Sequence, residues 1–165
     1  MNKLLVAFVI LTLPLLSFAK GVGHGNTKWG MNLSEVVAAQ GNGAHLISPV
    51  KYKDNFGKVR IDNVSIGIGL YTVIFLFDSA DRLVQTNVAS NEKKNEGIAA
   101  RQFGTLNQLL TPKCGKPEFS DPSKVTWKLP DTPVELSKMV ISGIMAQTVV
   151  RYIPNSRVAS DTSNL

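Results

Sequence analysis

The chain has 165 residues, and its 18 Lys and Arg against 12 Asp and Glu give it a formal net charge of +6. Its single cysteine, Cys114, excludes an internal disulfide. This length is typical of one compact domain that is stabilised by its own hydrophobic core.

The first residues have the organisation of a secretory signal peptide. Lys3 precedes an apolar run over residues 4–18, and the small side chains Ser17 and Ala19 stand where a signal peptidase reads them. The run is interrupted by Pro14 and is shorter than the roughly 20 apolar residues that cross a bilayer. We therefore predict a signal peptide over residues 1–19, with an uncleaved anchor as the alternative.

An exported chain is expected in the periplasm or outside the cell. We predict a single domain over residues 20–153, with no transmembrane segment after cleavage. Because exported proteins rarely meet nucleic acid, the positive charge indicates either general solubility or attraction to anionic envelope surfaces, lipid head groups or acidic partners.

The first structural motif is a helix start. Asn32 is placed to accept from the first free backbone N–H groups, and Glu35 follows three residues later, as in a capping box. Gly41 offers a left-handed stop. The pattern predicts a two-turn helix over residues 33–40, which needs packing against something larger because so short a helix is marginal alone.

The residues before this helix are interpreted as a docking device. Trp29 is the large anchor, and Gly30 allows a tight turn after it. Met31 and Val36 are spaced to pack on each other as a hydrophobic staple.

Alternating apolar residues then predict strands. Tyr71, Val73, Phe75 and Phe77 give the clearest period of two. We predict an antiparallel meander from residue 56 to residue 89, with residues 45–53 as an edge strand.

A helical pattern returns over residues 91–110, with Pro112 and Gly115 as its predicted end. Three more strands are predicted over residues 125–129, 134–139 and 145–153. Residues 154–165 are polar and are predicted to be a disordered tail. The fold class predicted is α+β, with helices packed on one face of an antiparallel sheet in the order helix, strands, helix, strands.

Several short motifs of the chain resemble a pattern in exported bacterial proteins of unknown function. The stretches KWGMNLSEV, YTVIFLFDSADRL, LNQLLTPKCGKP, VTWKL and VVRY resemble their Trp-Gly-Met helix start, Phe-x-Phe-Asp strand end, Gly-x-Pro turn, strand Trp and late Tyr. More distantly, the helix opening resembles the SmpA/OmlA lipoproteins and the helix-plus-sheet modules of β-lactamase inhibitor proteins. The resemblance implies a protein-binding role without catalytic residues. The chain departs from it at Pro112 and Cys114, and it lacks a lipid-bearing cysteine.

Cys114 is the one candidate nucleophile. Lys113 and Lys116 flank it and would favour a thiolate. The only histidines that could act as its base are His24 and His45, both far away in the sequence. A packing role for the cysteine is the competing interpretation.

We predict no cofactor and no metal site. His24 has no cluster of further ligands near it and indicates a flexible lead-in. Asp78 and Asp81 are typical of a hairpin turn rather than of a calcium loop.

The segment over residues 51–60 is the best candidate for contact with an anionic surface or an envelope protein, and a lysine-protected sheet edge is the alternative. Its candidate binding residues are Lys51, Tyr52, Lys53, Phe56, Lys58 and Arg60. The function predicted is that of an exported, non-enzymatic binding protein. The alternatives are a thiol-dependent enzyme or redox protein using Cys114, and a carrier of an apolar ligand.

Overall fold

The structure is a computed structural model that describes residues 23–41 and 43–157. The predicted signal peptide lies outside the described residues, and so does the end of the predicted tail, residues 158–165.

Eight strands and two helices of at least two turns follow one another in the described residues. They are α1 (Leu33–Gln40), β1 (Ala44–Tyr52), β2 (Asn55–Ile66), β3 (Gly69–Phe77), β4 (Leu83–Ser90), α2 (Glu96–Cys114), β5 (Phe119–Ser120), β6 (Lys124–Trp127), β7 (Val134–Ile141) and β8 (Met145–Tyr152). A single helical turn over residues 155–157 comes after the last strand.

All eight strands form one antiparallel sheet with the order β1-β2-β3-β4-β8-β7-β6-β5. Two meanders of four strands each therefore meet at one seam, where β4 pairs with β8 from Thr86 opposite Tyr152 to Ala89 opposite Val149. Helix α2 carries the chain from the central strand β4 to the far edge of the sheet.

The core consists mainly of strand side chains. Tyr71, Phe75 and Phe77 of β3 and Trp127 of β6 are almost completely buried in one cluster. The remaining members include Val36 of α1, Phe103 and Leu106 of α2, and the aliphatic residues Val59, Val73, Leu83, Val88, Val125, Val134, Leu136 and Val150.

The predicted fold class is wrong. The chain is mostly an eight-stranded antiparallel sheet with three short helices, 46% strand against 22% helix, and is not a set of helices packed on a sheet in the predicted order. The third helical segment, residues 155–157, follows the final strand and has no place in that order. From the helical periodicity we expected the helices to supply a larger part of the fold than they do. Helix α1 is only two turns long and buries only Val36.

The boundaries of α1 are those predicted, and its capping box is present. The Asn32 side chain accepts from the Glu35 amide at 2.9 Å, and the Glu35 carboxylate accepts from the Asn32 amide at 2.8 Å. Gly41, at a φ of 66°, ends the helix by donating to the Val37 carbonyl.

Helix α2 begins and ends later than predicted. The Glu92 carboxylate and the Asn95 cap organise a turn before it, so that the first helical residue is Glu96. Pro112 stands inside the last turn and does not end the helix. Gly115, at a φ of 83°, ends it by donating to the Thr111 carbonyl at 2.9 Å, as its predicted structural role requires.

The strand predictions hold with shifted ends. The expected edge strand is β1, and β2 is one long strand with two irregularities in its pairing to β3. The short strand β5 was not predicted, because two residues carry no periodic signal.

Within residues 23–41 and 43–157, no helix combines the length and the apolar character that crossing a membrane requires.

Candidate ligand-binding cavity

One end of the sheet carries a cavity of about 690 Å³. The β1–β2 turn forms one wall, β3, β4 and β8 form the floor, and the chain after β8 forms the other wall. Its lining residues are Tyr52, Lys53, Asp54, Asn55, Leu76, Gln85, Asn87, Arg151, Ile153 and Arg157.

Strand alternation explains how these side chains come together. Side chains of successive strand residues point to opposite faces, so the neighbours of core residues face away from the core. Arg151 stands between Val150, which is buried in the core, and Tyr152, and it is paired in register with Asn87 of β4. Gln85 pairs with Leu76 in the same way. The cavity thus lies on the face of the sheet opposite the core.

Hydrogen bonds fix the amide side chains of the cavity. The Gln85 side chain donates to Oδ1 of Asn87 at 2.7 Å. Arg157, in the wall after β8, donates from Nη1 to Oδ1 of Asn55 on the β1–β2 side at 2.8 Å, so this bond joins the two walls. Asn55 and Asn87 are both buried, so their orientation is set by the protein rather than by solvent.

Arg151 is held by an acidic partner outside the cavity. Its Nη1 donates to Oε1 of Glu135 at 2.5 Å, and Lys124 contacts Oε2 of the same carboxylate at 2.6 Å. Burial opposes ionisation of Glu135, but the hydrogen bonds from Lys124 and Arg151 outweigh it and lower its pKa. Because Glu135 is shared with Lys124, the Arg151 charge is only partly balanced.

Tyr52 covers the β1–β2 wall, and a glycine makes room for it. A Cβ atom on Gly57 would lie 3.1 Å from Cε2 of Tyr52 and 2.7 Å from Cγ2 of Ile74, which is too close for a relaxed structure. Burial raises the pKa of the Tyr52 hydroxyl, and the nearby charge of Arg60 opposes that shift. The hydroxyl therefore stays protonated at neutral pH and can donate.

The cavity has the chemistry of an anion-binding site. Lys53, Arg151 and Arg157 contribute three positive charges, whereas Asp54 contributes one negative charge. Guanidinium groups bind carboxylates and phosphates with two parallel hydrogen bonds, and the amides add neutral donors and acceptors.

The six predicted binding residues do not lie together at one site. Tyr52 and Lys53 line the cavity, and Lys51 is exposed beside them. Lys58 forms an ion pair with Asp81 and lies over the ring of Phe56, 5.7 Å from its centroid. Arg60 is paired with Asp62 at 2.9 Å. The basic segment is therefore not one continuous positive patch.

Sequence reasoning missed most of the cavity. Gln85, Asn87 and Arg151 were interpreted as ordinary strand residues, and Arg157 was placed in a disordered tail. The one available signal was a polar residue inside an otherwise apolar strand, as at Arg151 in VVRY.

The predicted docking residues before α1 lie against the sheet. Trp29 donates from its indole Nε1 to Oγ1 of Thr132 at 2.9 Å. Gly30, at a φ of 81°, donates to the Leu83 carbonyl, and Leu83 donates back to the Met31 carbonyl. Met31 also packs against the core cluster that contains Val36.

Cys114 and His24 are in surroundings other than those predicted. Burial raises the pKa of the Cys114 thiol, and the charge of Lys113 opposes this only in part. His24 does not belong to a flexible segment, as was predicted, but packs against aromatic side chains. Its ring centroid lies 5.2 Å from that of Tyr152 and 6.3 Å from that of Phe75, and burial lowers its pKa.

In comparisons with known proteins, no family model, no curated protein and no solved structure matches this chain. The resemblance to exported helix-plus-sheet proteins therefore stays a prediction.

Proposed function

We propose that this is an exported, non-enzymatic binding protein whose cavity takes a small anionic ligand bearing a carboxylate or a phosphate. The observation that carries the proposal is the convergence of Arg151 and Arg157 on one cavity whose floor holds the buried amide of Asn87. One guanidinium group on the floor and one on the wall suit an anion that lies between them.

The other lining residues fit binding better than catalysis. The cavity's described lining contains no Ser, Cys or His, so it lacks the usual pair of a nucleophile and a general base. Its amide side chains serve as orienting hydrogen-bond partners, and Tyr52 supplies an additional donor.

The two alternatives have less support. Cys114 does not line the cavity, and its raised pKa keeps the thiol protonated at neutral pH, which disfavours nucleophilic chemistry. This cavity does not suit an apolar molecule, because Leu76 and Ile153 are the only aliphatic residues of its described lining.

The experiment is an NMR titration of the full chain with inorganic phosphate and, separately, with succinate. We expect shifts at the backbone amides of residues 52–55, 85–87, 151–153 and 155–157. Arg157→Gln should weaken binding roughly tenfold or more, because it removes a charge-assisted hydrogen-bond donor.

Arg101→Gln is the matched control, because Arg101 is an exposed arginine of α2 that does not line the cavity. Arg151→Gln is a second variant whose folding is checked by its own NMR spectrum. Equal weakening by Arg101→Gln, or shifts spread over the whole surface, would show nonspecific charge attraction and would contradict the proposal.

A further inference from the structure

The cavity at the end of the sheet is larger than a simple anion requires. Its volume is about 690 Å³, within the range of roughly 300–1,000 Å³ that is common for sites of drug-sized ligands. Inorganic phosphate or succinate would fill only a small part of this space and would leave the other lining residues in contact with water. The size therefore suits a ligand in which the acid group is attached to a larger polar body.

Two buried amide side chains of the lining offer hydrogen bonds that the protein does not use. Asn55 is 7% exposed and Asn87 is 9% exposed. Each accepts a hydrogen bond at Oδ1, from Arg157 and from Gln85 respectively, which fixes the amide and leaves Nδ2 to donate. Neither Nδ2 atom has a hydrogen-bond partner among the described residues. A ligand that displaces the water of the cavity must therefore supply acceptors for these two groups.

The lining also contains acceptors, which a simple carboxylate ligand cannot use. The Gln85 amide is bound through Nε2, and its Oε1 accepts no hydrogen bond from the part of the chain that the structure describes. Asp54 adds a carboxylate in the β1–β2 turn. A carboxylate ligand has no donor for these oxygens, whereas a hydroxyl group both donates and accepts. An ammonium group is the other partner for Asp54, but the adjacent Lys53 and the two arginines of the lining disfavour it. The mixture of donors and acceptors therefore favours several hydroxyl groups.

Tyr52 supplies a flat apolar surface in the wall formed by the β1–β2 turn. One edge of its ring packs over Gly57, where a Cβ atom would lie 3.1 Å from Cε2 and 3.6 Å from Cδ2. The side chain is half-buried and lines the cavity. Sugar rings carry C–H groups, and such groups pack on the electron-rich face of an aromatic ring.

We infer that the ligand is an acidic sugar, in which a hydroxylated ring carries a phosphate or a carboxylate. The acid group lies between Arg151 and Arg157, and the ring packs on Tyr52. The hydroxyl groups bond to the buried amides and to Asp54. This inference rests on the proposed function, because it specifies the ligand class of the same cavity.

The test compares dissociation constants from NMR titrations of the full chain at one ionic strength. Glucose 6-phosphate is compared with inorganic phosphate, and glucuronate is compared with succinate. Each acidic sugar should bind roughly tenfold or more tightly than its simple counterpart, since each added hydrogen bond contributes roughly two- to tenfold. Glucose, which lacks the acid group, should bind more weakly than either acidic sugar.

Two variants of Tyr52 isolate the contribution of its ring. Tyr52→Leu and Tyr52→Phe both lose the hydroxyl group, but only Tyr52→Phe keeps the aromatic surface. Glucose 6-phosphate should therefore bind Tyr52→Leu roughly fivefold more weakly than it binds Tyr52→Phe. Inorganic phosphate should bind the two variants equally. The spectrum of each variant without ligand checks that it is folded.

The outcomes separate this inference from the proposed function. Acidic sugars that bind in the cavity no more tightly than phosphate and succinate would overturn the inference and leave the proposed function intact. Glutamate binding as tightly as glucuronate would also overturn only the inference, because it would show that an ammonium group replaces the hydroxyl groups. Binding of none of these anions, or equal binding of glucose and glucose 6-phosphate, would overturn both.

Discussion

The indole of Trp29 donates a hydrogen bond to the hydroxyl of Thr132 at 2.9 Å and so joins the segment before α1 to the loop between β6 and β7. The two residues are 103 positions apart in the chain. Thr132 is buried and Trp29 is partly buried, so the bond is partly shielded from water. The first described residues are thereby fixed to the second meander.

A double-mutant cycle measures this bond. Trp29→Phe and Thr132→Val should each lower the free energy of unfolding, and their effects should be coupled by about 0.5–1.5 kcal/mol, the net contribution of one hydrogen bond. Urea denaturation of the single and double variants gives the coupling. Strictly additive effects would mean that the bond contributes nothing.

The cap of α1 gives a second prediction. Asn32→Ala should lower the free energy of unfolding by about 1 kcal/mol, because the Glu35 amide loses its acceptor. Asn32→Gly is the matched control and should cost only a few tenths of a kcal/mol. Equal losses in the two variants, measured by urea denaturation, would argue against a capping effect.

Two glycines should respond to Ala in opposite directions. Gly57→Ala should destabilise the protein by about 1–3 kcal/mol, because the new methyl group collides with Ile74 and Tyr52. Gly104→Ala should stabilise it by about 0.5–1 kcal/mol, because Gly104 lies inside α2 and its Cβ would meet no atom within 4 Å. Thermal unfolding of both variants checks the contrast, and a stable Gly57→Ala protein would refute the predicted collision.

Glu135 should make stability depend on pH in the acidic range. Its pKa is lowered in the folded protein, so its contribution is present above its ordinary value of 4.5 and is lost as the pH falls through the folded value. Glu135→Gln should therefore flatten the pH dependence of unfolding between about pH 6 and about pH 3. An unchanged slope in that variant would place the titrating group elsewhere.

His24 should make stability depend on pH in a higher range than Glu135 does. Burial lowers its pKa below 6.5, so the folded protein favours the neutral imidazole, and stability falls as the pH drops below 6.5. The NMR titration midpoint of the His24 ring should lie below 6.5. A midpoint at or above this value would contradict burial between Tyr152 and Phe75.

The sequence was informative where the determining interactions are local. The bounds of α1 follow from Asn32, Glu35 and Gly41, which act within one or two turns. The end of α2 was harder to predict, because Pro112 is tolerated in the last turn and Gly115 makes the actual stop.

The cavity was not predictable from local patterns. Tyr52, Asn87 and Arg151 come from three strands, and only the pairing of β4 with β8 brings the last two together. One sequence carries no direct signal for that pairing. The predicted fold class was wrong for a related reason. Periodicity identifies a helix but does not show how much of the core that helix supplies.

The pairing of β4 with β8 also decides when the sheet can be completed during synthesis. Among the described strands, the last to be synthesised is the one that joins both halves, so the first four strands must wait, with one side of β4 unpaired, until residues 149–152 arrive. A truncation that removes β8 would leave β4 and β7 as open edges, and open edges of this kind are where chains associate with one another.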